Sequence, residues 1–309
     1  MNERRTQIMD MTRKLPEGFS IGHSNDDYTG VTVILCPRET ICGVDVRGGA
    51  PGTHETDCLR NEKMMRQVNA VALCGGSAYG LGAIAGVMEY LREQKIGYAV
   101  ADKIVPIVPG AVIYDLNDKD YHYPTAKFGY DAAKSARSDD LRQGKIGVGT
   151  GATVGKILGP AGACSSGLGI ATVKAGNATV TAVVCVNALG DIIAPDSGNI
   201  LAGAKDENGK FVGTEKFILD HAADLSPVSG ANTTIGCVLT DAKIDKVQAN
   251  KIASYAHNGL AKTISPVHTD FDGDTLFCLS SRSTEADFLA VQIAAEKAVS
   301  LAVVNAVLQ

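Results

Sequence analysis

An α/β fold in a single domain, 1–309, is predicted for this chain by three observations. Short runs rich in Val, Ile, Thr and Cys recur along its length, helical patterns fall between them, and no low-complexity linker, repeat or compositional shift divides the whole. The strand-like runs are VTVILC (31–36), NAVALC (69–74), GYAVA (97–101), ATVTAVVCVNA (178–188), TIGCVLT (234–240) and TLFCLS (275–280). The clearest helical stretch is 77–94, whose small residues permit close helix packing and whose Arg92 and Glu93 mark an exit to solvent. A second is expected over 241–264, capped by Thr240 or Asp241, and a last over about 284–307, opened by a capping box from Thr284 to Asp287. The stretch 118–145 is polar and dotted with aromatics, and predicts an exposed excursion with a short helix at a pocket rim or subunit contact.

Composition narrows the function. A hydrophobic content of 45% is ample for a sizeable core. Lys and Arg number 29 against 34 Asp and Glu, a net charge of −5, and with no Trp and no basic stripe nucleic acid is excluded as the expected partner. The first twenty residues hold no apolar signal core, and no window of about 18 apolar residues is found, so a soluble cytoplasmic protein without a membrane partner is expected. Eight scattered cysteines without a CxxC pair, and six histidines without HExxH spacing, predict buried reduced thiols and no metal site. Among the histidines, His268 stands out for its closeness to an acidic cluster.

The glycine motifs carry less than they promise. GVGTGATVGK (147–156) has Thr150 and Ile157 where a phosphate-binding loop requires Gly and Ser or Thr, and no hydrophobic strand precedes it, so no nucleotide cofactor is expected. DVRGGAPGTHETD (45–57) and CGGSAYGLG (74–82) read as tight turns and a helix start.

Three features of the last third carry chemistry. Asn232-Thr233 stands at the lip of a strand; a threonine hydroxyl is a weak nucleophile unless a base adjoins it, and exposing it as a new N-terminus supplies its own amine, of pKa about 7.7–8.0. Asp272-Gly273-Asp274 precedes another strand, where carboxylates two apart point the same way and Gly273 leaves room for a close approach. Asn187 ends the run TAVVCVN, and its uncharged amide suits an oxyanion. Each alone is as readily a turn or a cap.

In series these residues resemble a family. DVRGGAPGT (45–53), GGSAYGL (75–81), GVGTGA (147–152), VNA (186–188), NTTI (232–235) and PVHTDFDGDTLF (266–277) are similar to the DmpA-type self-cleaving aminopeptidases and amidohydrolases, which include D- and β-aminopeptidases and 6-aminohexanoate-oligomer hydrolases. The resemblance spans roughly residues 17–280. It implies a four-layer α/β/β/α sandwich like that of the N-terminal-nucleophile hydrolases, and self-cleavage between Asn232 and Thr233 into associated chains 1–232 and 233–309. It also implies Thr233 as nucleophile, Asn187 as oxyanion amide, Tyr114 as a hydroxyl near the reacting carbonyl, Asp272 and Asp274 as the supporting pair, and Lys156 as a further site lysine. A small peptide or amino-acid-amide substrate, no cofactor and a homotetramer follow from the same likeness. Where aminopeptidase members carry serine, a Ser-Gly-Glu pair and a carboxylate two residues before the tyrosine, this chain has Thr233, Asp-Gly-Asp and Val112, which places it nearer the oligomer-hydrolase branch. Two alternatives stay open on the residues: an acyltransferase of the ornithine-acetyltransferase type, and an uncleaved binding protein.

Overall fold

The computed structural model describes residues 14–116, 121–222 and 232–309. Two five-stranded sheets dominate. The first runs, in spatial order, Ser20–Asn25, Gly30–Leu35, Ala70–Cys74, Gly110–Val112, Thr53–His54; the second runs Leu168–Ala175, Ala178–Asn187, Thr233–Ala242, Thr275–Thr284, Ile41–Val46.

The strand sequences dictate how these sheets stack. Successive side chains of a strand face opposite ways, so a strand buried on both faces needs apolar residues at every position. In the first sheet Val31, Val33, Ala70 and Ala72 pack against helices Ala83–Glu93 and Ala126–Ser135, while Ile34, Val71 and Leu73 point the other way. These meet Val183, Ile235, Cys237 and Phe277 of the second sheet in a shared core. The alternate residues Ala182, Val184, Val238 and Cys278 lie under helices Lys246–Ala261 and Phe288–Val307. Three apolar cores thus separate four layers, the α/β/β/α sandwich. Complete burial of one large side chain such as Phe277 stabilises by about 1.5–3 kcal/mol.

Several sequence expectations are corrected. The stretch 77–94 forms two helices, Ser77–Gly80 and Ala83–Glu93, broken at Leu81-Gly82. The second helix starts later than expected because the strand before it runs on to Ala242; the cap is Asp245, in a reciprocal box with Gln248, not Thr240 or Asp241. The last helix begins at Phe288, capped by Asp287, because the preceding strand extends to Thr284. Nor is 118–145 simply an exposed excursion. Its helix Ala126–Ser135 is part of the outer layer: a Cβ on Gly86 would stand 1.7 Å from Ala126 O, and one on Gly129 1.9 Å from Ala83 O, so two glycines let the helices touch. Residues 118–120 of that stretch lie outside the described residues. Finally, Phe288–Val307 is by length and composition apolar enough to cross a membrane, against the sequence expectation, but Val291, Ala295, Ala298 and Ala302 bury one face of it on the second sheet.

Candidate active site

Pairing in the second sheet brings four of the predicted residues to one end of its inner strands. The strand Thr233–Ala242 lies antiparallel to Ala178–Asn187, with Thr233 directly opposite Asn187. It lies parallel to Thr275–Thr284, and the register continues beyond the strand ends to an Asn232–Asp272 bridge. Gly273 therefore falls beside Thr233. Its N–H donates to Asn232 O at 3.0 Å, and a Cβ in its place would stand 2.9 Å from Thr233 Oγ1 and 2.7 Å from Ala50 O. Glycine is what permits that approach. The Thr233 hydroxyl in turn donates to the same Asn232 carbonyl oxygen.

The two carboxylates have different tasks. Asp274 is fully buried; Oδ1 accepts the Thr234 N–H at 2.6 Å, and Oδ2 lies 2.8 Å from His268 Nδ1 and accepts the His268 N–H at 3.2 Å. Asp272 Oδ2 accepts from Thr269, from its hydroxyl at 2.6 Å and its N–H at 3.1 Å. Burial holds the Asp272 carboxyl above the ordinary range, and the neighbouring charge of Asp274 adds to the effect.

Across the strand, Asn187 is a junction. Its Nδ2 donates to Tyr114 O at 3.0 Å, while Oδ1 accepts the Thr153 N–H at 3.1 Å and the Lys156 ammonium at 2.8 Å. Lys156 also donates to Asn187 O at 2.9 Å. Burial lowers the Lys156 pKa to about 7, against the opposing pull of Asp272 and Asp115. At neutral pH this amine is divided between its charged and neutral forms, which suits proton transfer.

The structure thus gathers Thr233, Asn232, Asn187, Asp272, Asp274 and Lys156. Tyr114 joins through its main-chain carbonyl, with its side chain 37% exposed. Sequence reasoning missed Thr269, Thr153 and Asp115. Asp115 is a buried carboxyl pushed up to about 6 by desolvation and held by the Gly76 N–H and Thr29 hydroxyl. Its signal was a lone acid in the run AVIYDL; Thr153 contributes only its backbone, which no side-chain pattern reports. The eight cysteines are free thiols, five of them buried and three, Cys36, Cys58 and Cys164, only half-buried where burial was expected; among the described residues no group of three or more His, Cys, Asp or Glu could hold a metal ion.

A sandwich of two sheets between two helical layers, with a hydroxyl, an amide and a carboxylate pair at the end of one sheet, has the fold of the N-terminal-nucleophile hydrolases. Residues 16–309 match the model of peptidase family S58, and the chain belongs to that family. It is 43% identical over 266 residues to an uncharacterized aminopeptidase of Mycobacterium leprae, covering 83% of this chain and 72% of that protein. To a 6-aminohexanoate-oligomer endohydrolase of Kocuria sp. it is 33% identical over 276 residues, 85% of this chain and 73% of the relative. The fold is similar to that of the L-aminopeptidase D-Ala-esterase/amidase of Ochrobactrum anthropi, with a TM-score of 0.70 at 19% identity, over 96% of this chain and 86% of the other. A Burkholderia sp. β-aminopeptidase gives 0.66 at 22% identity with the same coverage. This protein is a hydrolase acting on amide bonds.

Proposed function

We propose that the chain matures by cutting itself between Asn232 and Thr233, and that the freed Thr233 is the nucleophile of an amide or peptide hydrolase. The observation that carries this reading is the contact of the Thr233 hydroxyl with the Asn232 carbonyl, whose oxygen also receives the Gly273 N–H. In the first stage the hydroxyl adds to the Asn232 carbonyl carbon, and the Gly273 N–H stabilises the developing oxyanion. The C–N bond breaks, the nitrogen takes up a proton as the Thr233 amine, and water hydrolyses the resulting ester into chains 1–232 and 233–309.

In the second stage the same hydroxyl attacks a substrate amide, its proton passing to the Thr233 amine. The Asn187 amide is the oxyanion donor, with the Tyr114 hydroxyl as a second, and Lys156 sets the polarity around Asn187. Asp272 and Asp274 hold the loop beside the nucleophile. Water then releases the acyl group. The names of the relatives support two substrate classes, peptides with a free N-terminal amine and oligomers of ω-amino acids. The buried Val112 is apolar and offers no charge to a substrate ammonium, which favours the oligomers. The reading extends to a cytoplasmic homotetramer, supported by the family resemblance alone; light scattering of the purified protein tests the assembly and cell fractionation the location.

Intact mass decides the first stage. The wild type should yield two species in place of one of 32.2 kDa, with Thr at the second N-terminus, and Thr233→Ala a single one. Two fragments from Thr233→Ala would sink the proposal. A panel of 6-aminohexanoate oligomers, β-alanyl p-nitroanilide and L-alanyl p-nitroanilide then separates the substrate classes.

A further inference from the structure

The Asp274 carboxylate is suspended between two elements. On one side is the main chain of the nucleophile strand, through Thr234 N–H; on the other is His268, which presents both its backbone N–H and its ring Nδ1 to Oδ2. His268 achieves this from a left-handed backbone, φ 58°, a conformation that costs a residue other than glycine about 1–2 kcal/mol and persists only where its surroundings impose it. The imidazole is enclosed as well. Its Nε2 is buried with no hydrogen-bond partner among the described residues, and its ring meets His257 edge to face, centroids 4.8 Å apart at 69°.

These contacts fix where the ring presents a proton to its neighbour: Nδ1 donates to Asp274, whereas Nε2 has no acceptor among the described residues. The adjoining His257, with its Nε2 3.1 Å from Asp45 O and its pKa lowered to about 4 by burial, meets His268 as an uncharged ring.

We propose that His268 is a positioning residue for the nucleophile: by donating from Nδ1 to Asp274 it fixes the carboxylate that grips Thr234 N–H, and so sets the direction of the Thr233 hydroxyl one residue away. The inference rests on the reading of Thr233 as nucleophile. It assigns His268 no contact with substrate, so its loss acts on turnover more than on substrate binding.

Two substitutions test this. His268→Gly removes the ring without backbone strain at positive φ, and His268→Asn keeps both tolerance of that φ and a side-chain N–H near the position of Nδ1. With the panel substrate that the wild type hydrolyses best, His268→Gly should lose on the order of 100-fold in kcat with KM within about threefold. Its self-cleavage, followed by mass from a freshly refolded precursor, should slow in parallel. His268→Asn should recover most of both rates. In an Asp274→Asn background, His268→Gly should cost little more, because the group it positions is already altered.

Equal impairment of the Gly and Asn variants, a fall in KM and kcat by similar factors, or full additivity with Asp274→Asn would overturn the proposal and leave His268 a packing residue. Should His268→Gly fail to fold, the kcat of His268→Asn against that of His268→Ala, which has no side-chain donor to offer Asp274, decides in its place. A wild type that stays uncut and inactive overturns the nucleophile reading itself, which distinguishes the two failures.

Discussion

Two buried aspartates of this molecule look alike until their neighbours are compared. Asp191, in the short strand Asp191–Ile193, accepts from Ala204 N–H at 2.9 Å, Thr214 N–H at 2.5 Å and the Thr214 hydroxyl at 2.7 Å. It sits beside a cavity of about 360 Å³ lined by Ile193, Ile200, Leu219 and Ser265. Asp274 is as buried and as fully bonded, by Thr234 and His268. What separates them is the company of a hydroxyl aimed at a carbonyl and a lysine amine with a pKa of about 7, both within the reach of one sheet end. A bonded buried acid, even beside a cavity, marks folding as readily as catalysis; the juxtaposition of complementary groups marks the site.

Four measurements bear on that contrast. The largest effect belongs to Thr233→Ala, which should abolish self-cleavage and reduce amide hydrolysis by on the order of 10⁴-fold or more, read by mass and by the p-nitroanilide assay. Asn187→Ala should lower kcat by about 10²–10³-fold in protein that is cut and folded; unchanged kcat would remove Asn187 from the oxyanion role. Asp191→Ala should do the converse. Stranding two N–H groups and a hydroxyl should cost about 2–4 kcal/mol in denaturant unfolding of the uncut Thr233→Ala background, while kcat per folded molecule of the self-cleaved protein stays as in the wild type. A catalytic defect there would erase the distinction between the two regions.

The smallest effect concerns Lys156. Its folded pKa is depressed below the unfolded value near 10.5, so between about pH 7 and 10.5 the unfolded chain binds more protons and stability rises with pH; the contribution is lost as pH falls through about 7. Lys156→Met should flatten this rise, by no more than about 1 kcal/mol per pH unit for a partly exposed group. Thermal melts of the uncut Thr233→Ala protein with and without Lys156→Met, at pH 7 and 9, measure it. Parallel shifts in the two would show that Lys156 is not the titrating group.

Much of this was legible in the sequence because function here is written locally. Asn232-Thr233 and the Asp-Gly-Asp triplet are contiguous signals, and strand pairing needs only to set them side by side. Boundaries were harder to read. The expected cap at Thr240 or Asp241 fell inside a ten-residue strand, because Thr240 pairs with Val180, Ala242 pairs with Thr284 and Asp241 Oδ1 accepts the Thr179 N–H, long-range contacts that a polar pair after an apolar run does not announce. Strands Ser20–Asn25, Ile41–Val46 and Leu168–Ala175 were missed for a related reason: Gly22, Gly43 and Gly169 interrupt them, each admitting a helix backbone against the sheet. Glycine there serves tertiary packing, which local propensity does not report.

The order of strands in the second sheet bears on what the proposed cut would do to the molecule. The outer positions Leu168–Ala175, Ala178–Asn187 and Ile41–Val46 belong to the chain before residue 233, and the two between them, Thr233–Ala242 and Thr275–Thr284, to the chain after it. The shorter product is wedged into the longer one's sheet, held by a ladder on each side and by Phe277 in the core between the sheets. Neither product can leave without opening the sheet at its middle. With the bond at Asn232–Thr233 severed as proposed, unfolding also releases a partner that must be found again by diffusion. Denaturation of the mature form then behaves as a one-way event whose rate, rather than an equilibrium, sets the working lifetime of the enzyme.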